Sequence, residues 1–494
     1  MFASVLRLFR HLVVYGSADA AALVLNTLLL PIFTRVLSLE EYGVLALVLV
    51  LEAFLKITLR WGFDTAFLRL HYDCATAERR RVLAGTAALF LLVVDGLLLA
   101  ALWGASPWIS RVLFDTEAHA WVIRLLSVHL FVSTFQVLPL TQFRIDERSR
   151  DVAAWAMVRA FGTIAARLVF VVGLRWSVLG FVAADLLVSV VLAVGLWPTM
   201  ARMTRWRFSP TLARELLVVG LPRLPHGALH QIMAMADRVL LGWYLSLDEL
   251  GLYSIGATVA STLKMYPVAL TTAWMPLAFE AMRRLDAPAY YARTATYAFA
   301  VMAALAAGLI LTADPLLRLL TPPPYHGAAA LVPLLVVGVT IQACATFAST
   351  ALHIAKRIAP FPVITLVAAV ASVAANVLLI PALGTQGAAL ASVLAQAALF
   401  GATWWFVREI YPIPYERGRL ARIAGVATAL SLAGLAARAV APPIAADAIG
   451  VLLFLAFPAG LLLAGVFRAT EIASLRAWLR DRARLLLIPG SRAG

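Results

Sequence analysis

The sequence predicts an all-α membrane protein built from two six-helix lobes and two further helices. Three observations support this fold class: an apolar composition, about fourteen segments of membrane-spanning length, and an internal repeat. Of the 494 residues, 63% are hydrophobic and 14% are charged, with a mean hydropathy of +0.90. A soluble domain has about 25% charged residues, so lipid must cover much of this surface.

The internal repeat is visible in two pairs of segments. Leu37–Leu47 reads LSLEEYGVLAL and Leu245–Ile255 reads LSLDELGLYSI, which places Gly43 and Gly251 208 positions apart (251 − 43). The segments SVLGFVAADLL and GTQGAALASVL have their glycines 207 positions apart (387 − 180). Two similarities at nearly one offset predict a duplicated half, an arrangement typical of transporters.

The apolar segments define the predicted spans. Each is long enough to cross a bilayer and is expected to be helical, because lipid offers the backbone no hydrogen-bond partner. Spans one to six lie near 12–34, 42–63, 83–104, 120–142, 153–174 and 177–198; spans seven to twelve near 215–243, 250–278, 295–319, 327–352, 362–382 and 385–407; and spans thirteen and fourteen near 420–440 and 447–467.

The basic residues predict the topology. Most of the 41 lysines and arginines fall in alternate loops or at the termini, which places both termini in the cytoplasm. The net charge of +15 therefore reflects topology, and no nucleic-acid partner is expected. The predicted domains are an N-terminal lobe at 1–205, a C-terminal lobe at 206–410, helices thirteen and fourteen at 411–468, and a basic amphipathic tail at 469–494 on the anionic lipid surface.

Span seven has the densest set of ionisable residues inside a predicted span. Pro222 and Pro225 predict a kink in its cytoplasmic half, and a broken helix beside a polar stripe is typical of a transport cavity. In the alternative interpretation, Arg223 extends to the lipid headgroups and Asp237 pairs with Arg238. The stripe, spaced to share one helical face, comprises Arg223, His226, His230 and Asp237.

Spans two, eight and one add further charges. Glu52, Lys56 and Arg60 follow one another at intervals of four, an order that favours a Glu52–Lys56 pair. Lys264 lies near the middle of span eight, where the alternative to cavity lining is a salt bridge between helices. Asp19 lies deep in span one. An ionisable side chain inside a membrane is costly unless it is paired or faces water, so each is a functional candidate.

Cations outnumber acids among these intramembrane residues, which predicts an anionic substrate. Guanidinium groups suit phosphate oxygens particularly well. No metal, cofactor or catalytic residue is expected, since there is no nucleotide-binding loop and no loop exceeds about 20 residues. The predicted substrate-binding cations are Lys56, Arg60, Arg223 and Lys264, and the predicted lining or coupling residues are Asp19, Glu52, His226, His230 and Asp237.

Three segments resemble the oligosaccharide flippases, the polysaccharide-transporter branch of the superfamily that includes the MATE exporters and the lipid II flippase. They are GSADAAALVLNTLLLPIFTRVLSLEEYG from Gly16, ADRVLLGWYLSLDELGLYSIGATVAS from Ala236, and ANVLLIPALGTQGAALASVLAQ from Ala375. The resemblance implies a MATE-like fold and movement of a polyprenyl-diphosphate-linked oligosaccharide to the outer leaflet of the bacterial inner membrane. It also implies a cationic cavity among helices one, two, seven and eight, and work beside a polysaccharide polymerase and chain-length machinery.

Two other function classes stay open. One is an ion-coupled multidrug exporter of the same fold, which the excess of cations disfavours. The other is a membrane polymerase or ligase acting on lipid-linked glycans, which would need a larger periplasmic loop than those near Ser106–Ala118 and Asp314–Ala328. Neither the glycan nor its pathway, O-antigen, capsule or exopolysaccharide, follows from the sequence.

Overall fold

The computed structural model describes residues 29–282, 284–468 and 471, without the side chain of His226. All regular elements in these residues are helical, and ten stretches are long and apolar enough to cross a membrane. The all-α membrane fold is thus confirmed, while the count of fourteen spans stays a prediction. In chain order the α-helices are α1 Leu30–Phe33, α2 Leu39–Arg60, α3 Phe63–Asp73, α4 Ala77–Phe114, α5 Ala120–Thr134, α6 Val137–Ile145, α7 Ser149–Arg167, α8 Ser177–Met203, α9 Pro210–Gly220, α10 Leu224–Tyr244, α11 Leu247–Ser261, α12 Met265–Ala281, α13 Ala287–Leu320, α14 Val332–Ile354, α15 Phe361–Ile410, α16 Arg417–Val440 and α17 Pro443–Leu463.

The repeated sequence motif is a pair of equivalent helix starts. The Ser38 hydroxyl accepts the Glu41 backbone N–H at 3.2 Å, and the Glu41 carboxylate accepts the Ser38 N–H at 2.8 Å. Ser246 and Glu249 form the same capping box before α11. Each box satisfies backbone donors that would otherwise have no partner at a helix start, so the repeat preserves the beginning of α2 and α11.

The two helix starts also pack directly on one another. A β-carbon added at Gly43 would lie 2.8 Å from the carbonyl carbon of Leu247, and one added at Gly251 would lie 3.0 Å from that of Leu39. The two contacts are reciprocal, as expected for duplicated segments facing each other across a pseudo-two-fold axis. Glycine is required at both positions because the backbones touch there.

Predicted span seven is broken where its prolines lie. The α-helix gives way to a 3₁₀ turn at Leu221–Arg223 between α9 and α10, which confirms the predicted kink. Span eight is broken in the same manner at Thr262–Lys264, between α11 and α12, which the sequence reading did not anticipate. Neither of these spans is among the ten stretches.

Predicted spans eleven and twelve form the single element α15. Its backbone is non-helical at Gly384, with φ 58° and ψ −136°, three residues after Pro381. A positive φ is readily adopted by glycine alone, so the predicted interruption is present within one continuous element. Most of predicted span one and the tail beyond Arg468, except Glu471, lie outside the described residues.

The chain divides into two compact units, one comprising the residues up to Phe279 with Leu316–Tyr411, and the other Glu280–Pro315 with the residues from Pro412. The second unit contains a buried ion network. Arg419 donates to Glu416 at 2.8 Å, to Glu471 at 2.9 Å and to the Val466 carbonyl at 2.7 Å. The network fastens the start of α16 to the segment after α17. The predicted boundaries at 205 and 410 stay a prediction.

Candidate functional site

The first polar group of the candidate site lies on α2 in the first unit. Glu52 is buried and forms an ion pair with Lys56, one helical turn further along. Residues four apart share one helix face, and the order Glu before Lys is the favourable one. The predicted internal pair is thus confirmed, and the charge of Lys56 is balanced locally, although its side chain is 39% exposed.

A chain of polar side chains extends from Glu52 across α5 and α8. The Nε2 atom of His129 lies 3.7 Å from Glu52 Oε1, and its Nδ1 atom lies 3.1 Å from the Ser189 hydroxyl. Gln136 donates to the Ser189 carbonyl at 2.9 Å and accepts a hydrogen bond from Arg159 of α7. Four helices thereby share one connected polar network, an arrangement that holds their relative positions.

A second polar group is centred on Asp237 of α10. Its carboxylate accepts hydrogen bonds from the Tyr253 hydroxyl at 2.5 Å and from the Arg238 backbone N–H at 2.8 Å. The Arg238 guanidinium lies 3.4 Å from the same carboxylate. The alternative interpretation, in which Asp237 pairs with its neighbour, is therefore the arrangement observed.

Lys264, unlike Lys56 and Arg238, has no carboxylate partner in the part of the chain that the structure describes. It lies in the 3₁₀ turn between α11 and α12, its side chain is not covered by the rest of the protein, and it has no hydrogen-bond or ion-pair partner among the described residues. The nearby charges that act on it are those of Arg238 and Asp237, and Asp237 already has its own partners. The ammonium group therefore remains available to an anion.

The internal repeat explains why Lys56 is paired and Lys264 is not. The two lysines are 208 positions apart (264 − 56), the same offset as Gly43 and Gly251. At that offset the position of Glu52 corresponds to Ala260, which is buried. The two copies therefore share a lysine, but the first alone has a carboxylate one turn before it.

Two further predicted cations lie where helices of the two halves meet at a pair of breaks. A β-carbon added at Gly62, between α2 and α3, would lie 2.5 Å from the Gly220 carbonyl oxygen at the end of α9. Arg223, in the following 3₁₀ turn, is exposed and donates to the Thr65 hydroxyl. Arg60 ends α2 at this junction, is exposed, and has no ion-pair partner in the described part of the chain.

Comparison with known proteins identifies the family. The model of a family described as polysaccharide biosynthesis proteins matches residues 32–322, more than half of the chain. The chain belongs to this family. A curated relative, the Lsg locus putative protein 1 of Haemophilus influenzae, is 23% identical over 297 residues, which are 56% of this chain and 68% of the relative.

Solved structures show the fold of this family member. An inward closed conformation of the lipid II flippase MurJ superposes with a TM-score of 0.74 at 12% identity, over 90% of this chain and 98% of that one. An inward-facing MATE-family multidrug resistance transporter of the MOP superfamily gives 0.58 at 15% identity, over 84% and 96%. The predicted MATE-like fold is confirmed, because both solved structures share the fold of this chain over most of its length.

The structure brings most of the predicted residues to the first unit's polar groups and junction. Glu52, Lys56, Asp237 and Lys264 belong to the polar groups, and Arg60 and Arg223 to the junction. His230 is exposed on α10. Asp19 and the side chain of His226 lie outside the described residues, and in the part that is described no group of three or more His, Cys, Asp or Glu side chains could hold a metal ion.

Sequence reasoning missed two kinds of residue. His129, Gln136 and Ser189 are buried polar side chains whose partners lie on other helices, so no local spacing identifies them. Asp95 is different. It is the only acid in the apolar stretch from Val82 to Ala105, and the criterion that selected Asp19 would also have selected it.

Proposed function

We propose that this protein moves a polyprenyl-diphosphate-linked oligosaccharide from the cytoplasmic to the periplasmic leaflet of the bacterial inner membrane by alternating access. The proposal joins its family, whose description is polysaccharide biosynthesis, to a fold shared with a lipid II flippase. The basic loops support a location with both termini in the cytoplasm. The glycan and any association with polymerase or chain-length machinery stay predictions.

The observation that carries the proposal is the charge balance of the polar groups. Three intramembrane acids each have a basic partner: Glu52 has Lys56, Asp185 has Arg167 at 2.8 Å, and Asp237 has Arg238. No carboxylate within the described residues pairs with the remaining cations, which are Lys264, Arg60, Arg159 and Arg223. Uncompensated positive charge at membrane depth favours an anionic ligand, and a diphosphate is the anionic part of this substrate.

Lys264 is the cation best suited to bind the diphosphate first. Its ammonium group has three donors and no partner to displace, whereas Lys56 would have to leave Glu52. The surrounding 3₁₀ turn also breaks α11 from α12 and gives the ligand access to backbone groups. Arg60 and Arg223 lie at a break as well, where they can meet the diphosphate on the cytoplasmic side.

The helix breaks suit a change between two access states. The turns at Leu221–Arg223 and Thr262–Lys264 interrupt helices that carry the unpaired cations. The starts of α2 and α11 meet through Gly43 and Gly251, where the backbones touch. We expect this end to separate when the opposite end closes, with the breaks absorbing the change in backbone direction.

Reconstitution into liposomes tests the proposal. A labelled polyprenyl-diphosphate oligosaccharide is added, and an impermeant reagent scores its presence in each leaflet. We expect protein-dependent crossing in the wild type. Its rate should fall about tenfold or more in Lys264→Ala, since a charge-assisted hydrogen bond contributes about 1.5–3 kcal/mol. Lys264→Arg keeps the positive charge and should retain the crossing. Arg214→Ala, which removes an exposed cation of α9, is the matched control.

Three results would contradict parts of this proposal. Unchanged crossing in Lys264→Ala would refute the assignment of the diphosphate site. An equal loss in Arg214→Ala would show that overall charge, rather than the site, matters. No crossing of any lipid-linked glycan, together with export of a lipophilic cation, would favour the multidrug exporter.

A further inference from the structure

Asp95 is an intramembrane acid that, unlike Glu52, Asp185 and Asp237, has no basic partner among the described residues. It lies near the middle of α4, is completely buried, and forms no ion pair with any described residue. An ionised carboxylate in such a place is costly unless a cation or several donors compensate it. Its surroundings therefore indicate which protonation state the site accommodates.

The hydrogen bonds around Asp95 fit the protonated acid. Its Oδ1 atom accepts the indole N–H of Trp61 at 3.0 Å, and Oδ2 has no partner. The Thr134 hydroxyl of α5 lies beside the carboxyl group, and its own proton goes to the Leu130 carbonyl at 3.0 Å. A proton on Oδ2 would remove the charge from this buried, unpartnered oxygen, and the Thr134 oxygen is the polar group named beside it that can accept the bond.

Within the described residues, no charged side chain compensates the carboxylate form. The groups that act on Asp95 are the indole of Trp61, from the junction between α2 and α3, and the hydroxyl of Thr134, from α5. Beside it, Gly96 faces the ring of Phe131. No titratable side chain of the described residues faces it from any packed helix, so a proton is the cation that the site can take.

The Asp95 hydrogen bond reaches the helix junction described above. Trp61 directly follows the last residue of α2 and has a left-handed φ of 51°, and Gly62 comes next with φ 66°. A β-carbon at Gly220 would overlap the Trp61 carbonyl oxygen. The Trp61 side chain is thus held by Asp95 while its backbone packs against the end of α9.

We propose that Asp95 is a proton-binding residue whose protonation holds the Trp61–Gly62 junction closed against Gly220, and that opening of the junction releases the proton. The step is a single ionisation: the Oδ2–H bond breaks, the electron pair stays on Asp95, and the proton passes to entering water. The proton site stands on its own geometry; the coupling of its proton to substrate movement rests on the proposed transport function.

Two measurements on the full-length protein test the site without substrate. Infrared difference spectra of wild type against Asp95→Asn should contain the C=O stretch of a protonated carboxylic acid at neutral pH. Asp95→Asn keeps the acceptor for Trp61 and should fold. Asp286→Asn, an exposed acid beside Arg284, is the control and should lose no such band. A carboxylate band lost in Asp95→Asn, with no acid band, would overturn the proposal.

Cysteine labelling tests the junction. In a Cys74→Ala/Cys344→Ala background, Val219→Cys places a thiol beside the junction, where Val219 packs in the cluster that includes Trp61. The maleimide labelling rate of Val219→Cys is measured with Asp95 present and again with Asp95→Asn. The ratio of the two rates cancels the effect of the thiol's own titration. We expect this ratio to rise with pH by up to about tenfold per unit while the junction is mostly closed, because opening releases one proton. A ratio independent of pH would overturn the proposal.

Transport separates the two hypotheses. In liposomes with an imposed pH gradient, Asp95→Asn should lose the stimulation by the gradient and keep gradient-independent crossing. Equal stimulation in wild type and Asp95→Asn would overturn the coupling. Absence of crossing in wild type would refute the proposed function, while the infrared and labelling results would still decide whether Asp95 binds a proton.

Discussion

Replacing Gly43 with alanine tests the reciprocal contact between the two copies of the repeat. The added methyl group would lie 2.8 Å from the Leu247 carbonyl carbon and closer still to its oxygen. Ordinary contacts need about 3.5 Å or more, so α2 and α11 would have to separate by roughly an ångström. The obstacle is backbone rather than a flexible side chain, so rotation of a side chain cannot relieve it.

The expected cost follows from two opposing effects. Overpacking of this kind costs about 1–3 kcal/mol, whereas exchanging glycine for alanine inside a helix gains about 1 kcal/mol. Gly43→Ala should therefore lower the apparent Tm in detergent, and Gly251→Ala should do the same because its contact is the equivalent one. Gly401→Ala on α15 has no atom within 4 Å of the new β-carbon, so it should be neutral or stabilising.

The assay is thermal unfolding of the three purified variants, followed by the loss of the monodisperse peak in size-exclusion chromatography. A Tm for Gly43→Ala equal to that of wild type or above it, in line with Gly401→Ala, would refute the close packing of the two helix starts. Loss of stability in Gly43→Ala but not in Gly251→Ala would refute their equivalence.

Three further predictions concern other parts of the chain. Pro315 has no N–H for the Leu311 carbonyl, which instead accepts a hydrogen bond from Arg438 at 2.5 Å. Arg438→Met should therefore lower the free energy of unfolding by about 1–3 kcal/mol. The loss should be smaller in a Pro315→Ala background, and a double-mutant cycle of thermal stability measures the difference. Arg419→Gln should cost about 3 kcal/mol because it leaves the Glu471 carboxylate without its cation, while Glu416 keeps Arg468 at 2.7 Å, and a Tm within error of wild type would contradict this. Burial raises the pKa of the Cys74 thiol, so less thiolate is present at neutral pH. In Cys344→Ala protein its maleimide labelling should be slower than that of a cysteine placed at exposed Thr211, and equal rates would contradict the burial.

The sequence was sufficient for features set by local chemistry. The i, i+4 spacing identified the Glu52–Lys56 pair, and Pro222 with Pro225 identified the break between α9 and α10. The repeated LSL motifs identified the duplication, although the capping boxes that they form and their mutual packing through Gly43 and Gly251 needed coordinates. These features could be predicted because each depends on residues within about one helical turn.

Features that depend on distant partners could not be predicted in this way. The chain from Glu52 through His129 to Ser189 joins three helices whose order in space no spacing reveals. Asp95 was visible in the sequence, but its lack of a cation partner was not, because only the folded chain shows what surrounds it.

The two copies of the repeat differ in charge, and this difference makes the candidate site asymmetric. Where backbones touch, the copies have stayed alike, since Gly43 and Gly251 each face a carbonyl of the other copy. Where charge is placed, they differ, since Glu52 compensates Lys56 while Ala260 leaves Lys264 without a carboxylate. A pseudo-symmetric scaffold can change between two states about its axis, but it would bind a ligand equally on both sides. Because, within the described residues, only one of the two lysines has a carboxylate beside it, the uncompensated charge of this pair lies on a single side, which suits the proposed substrate with its one diphosphate.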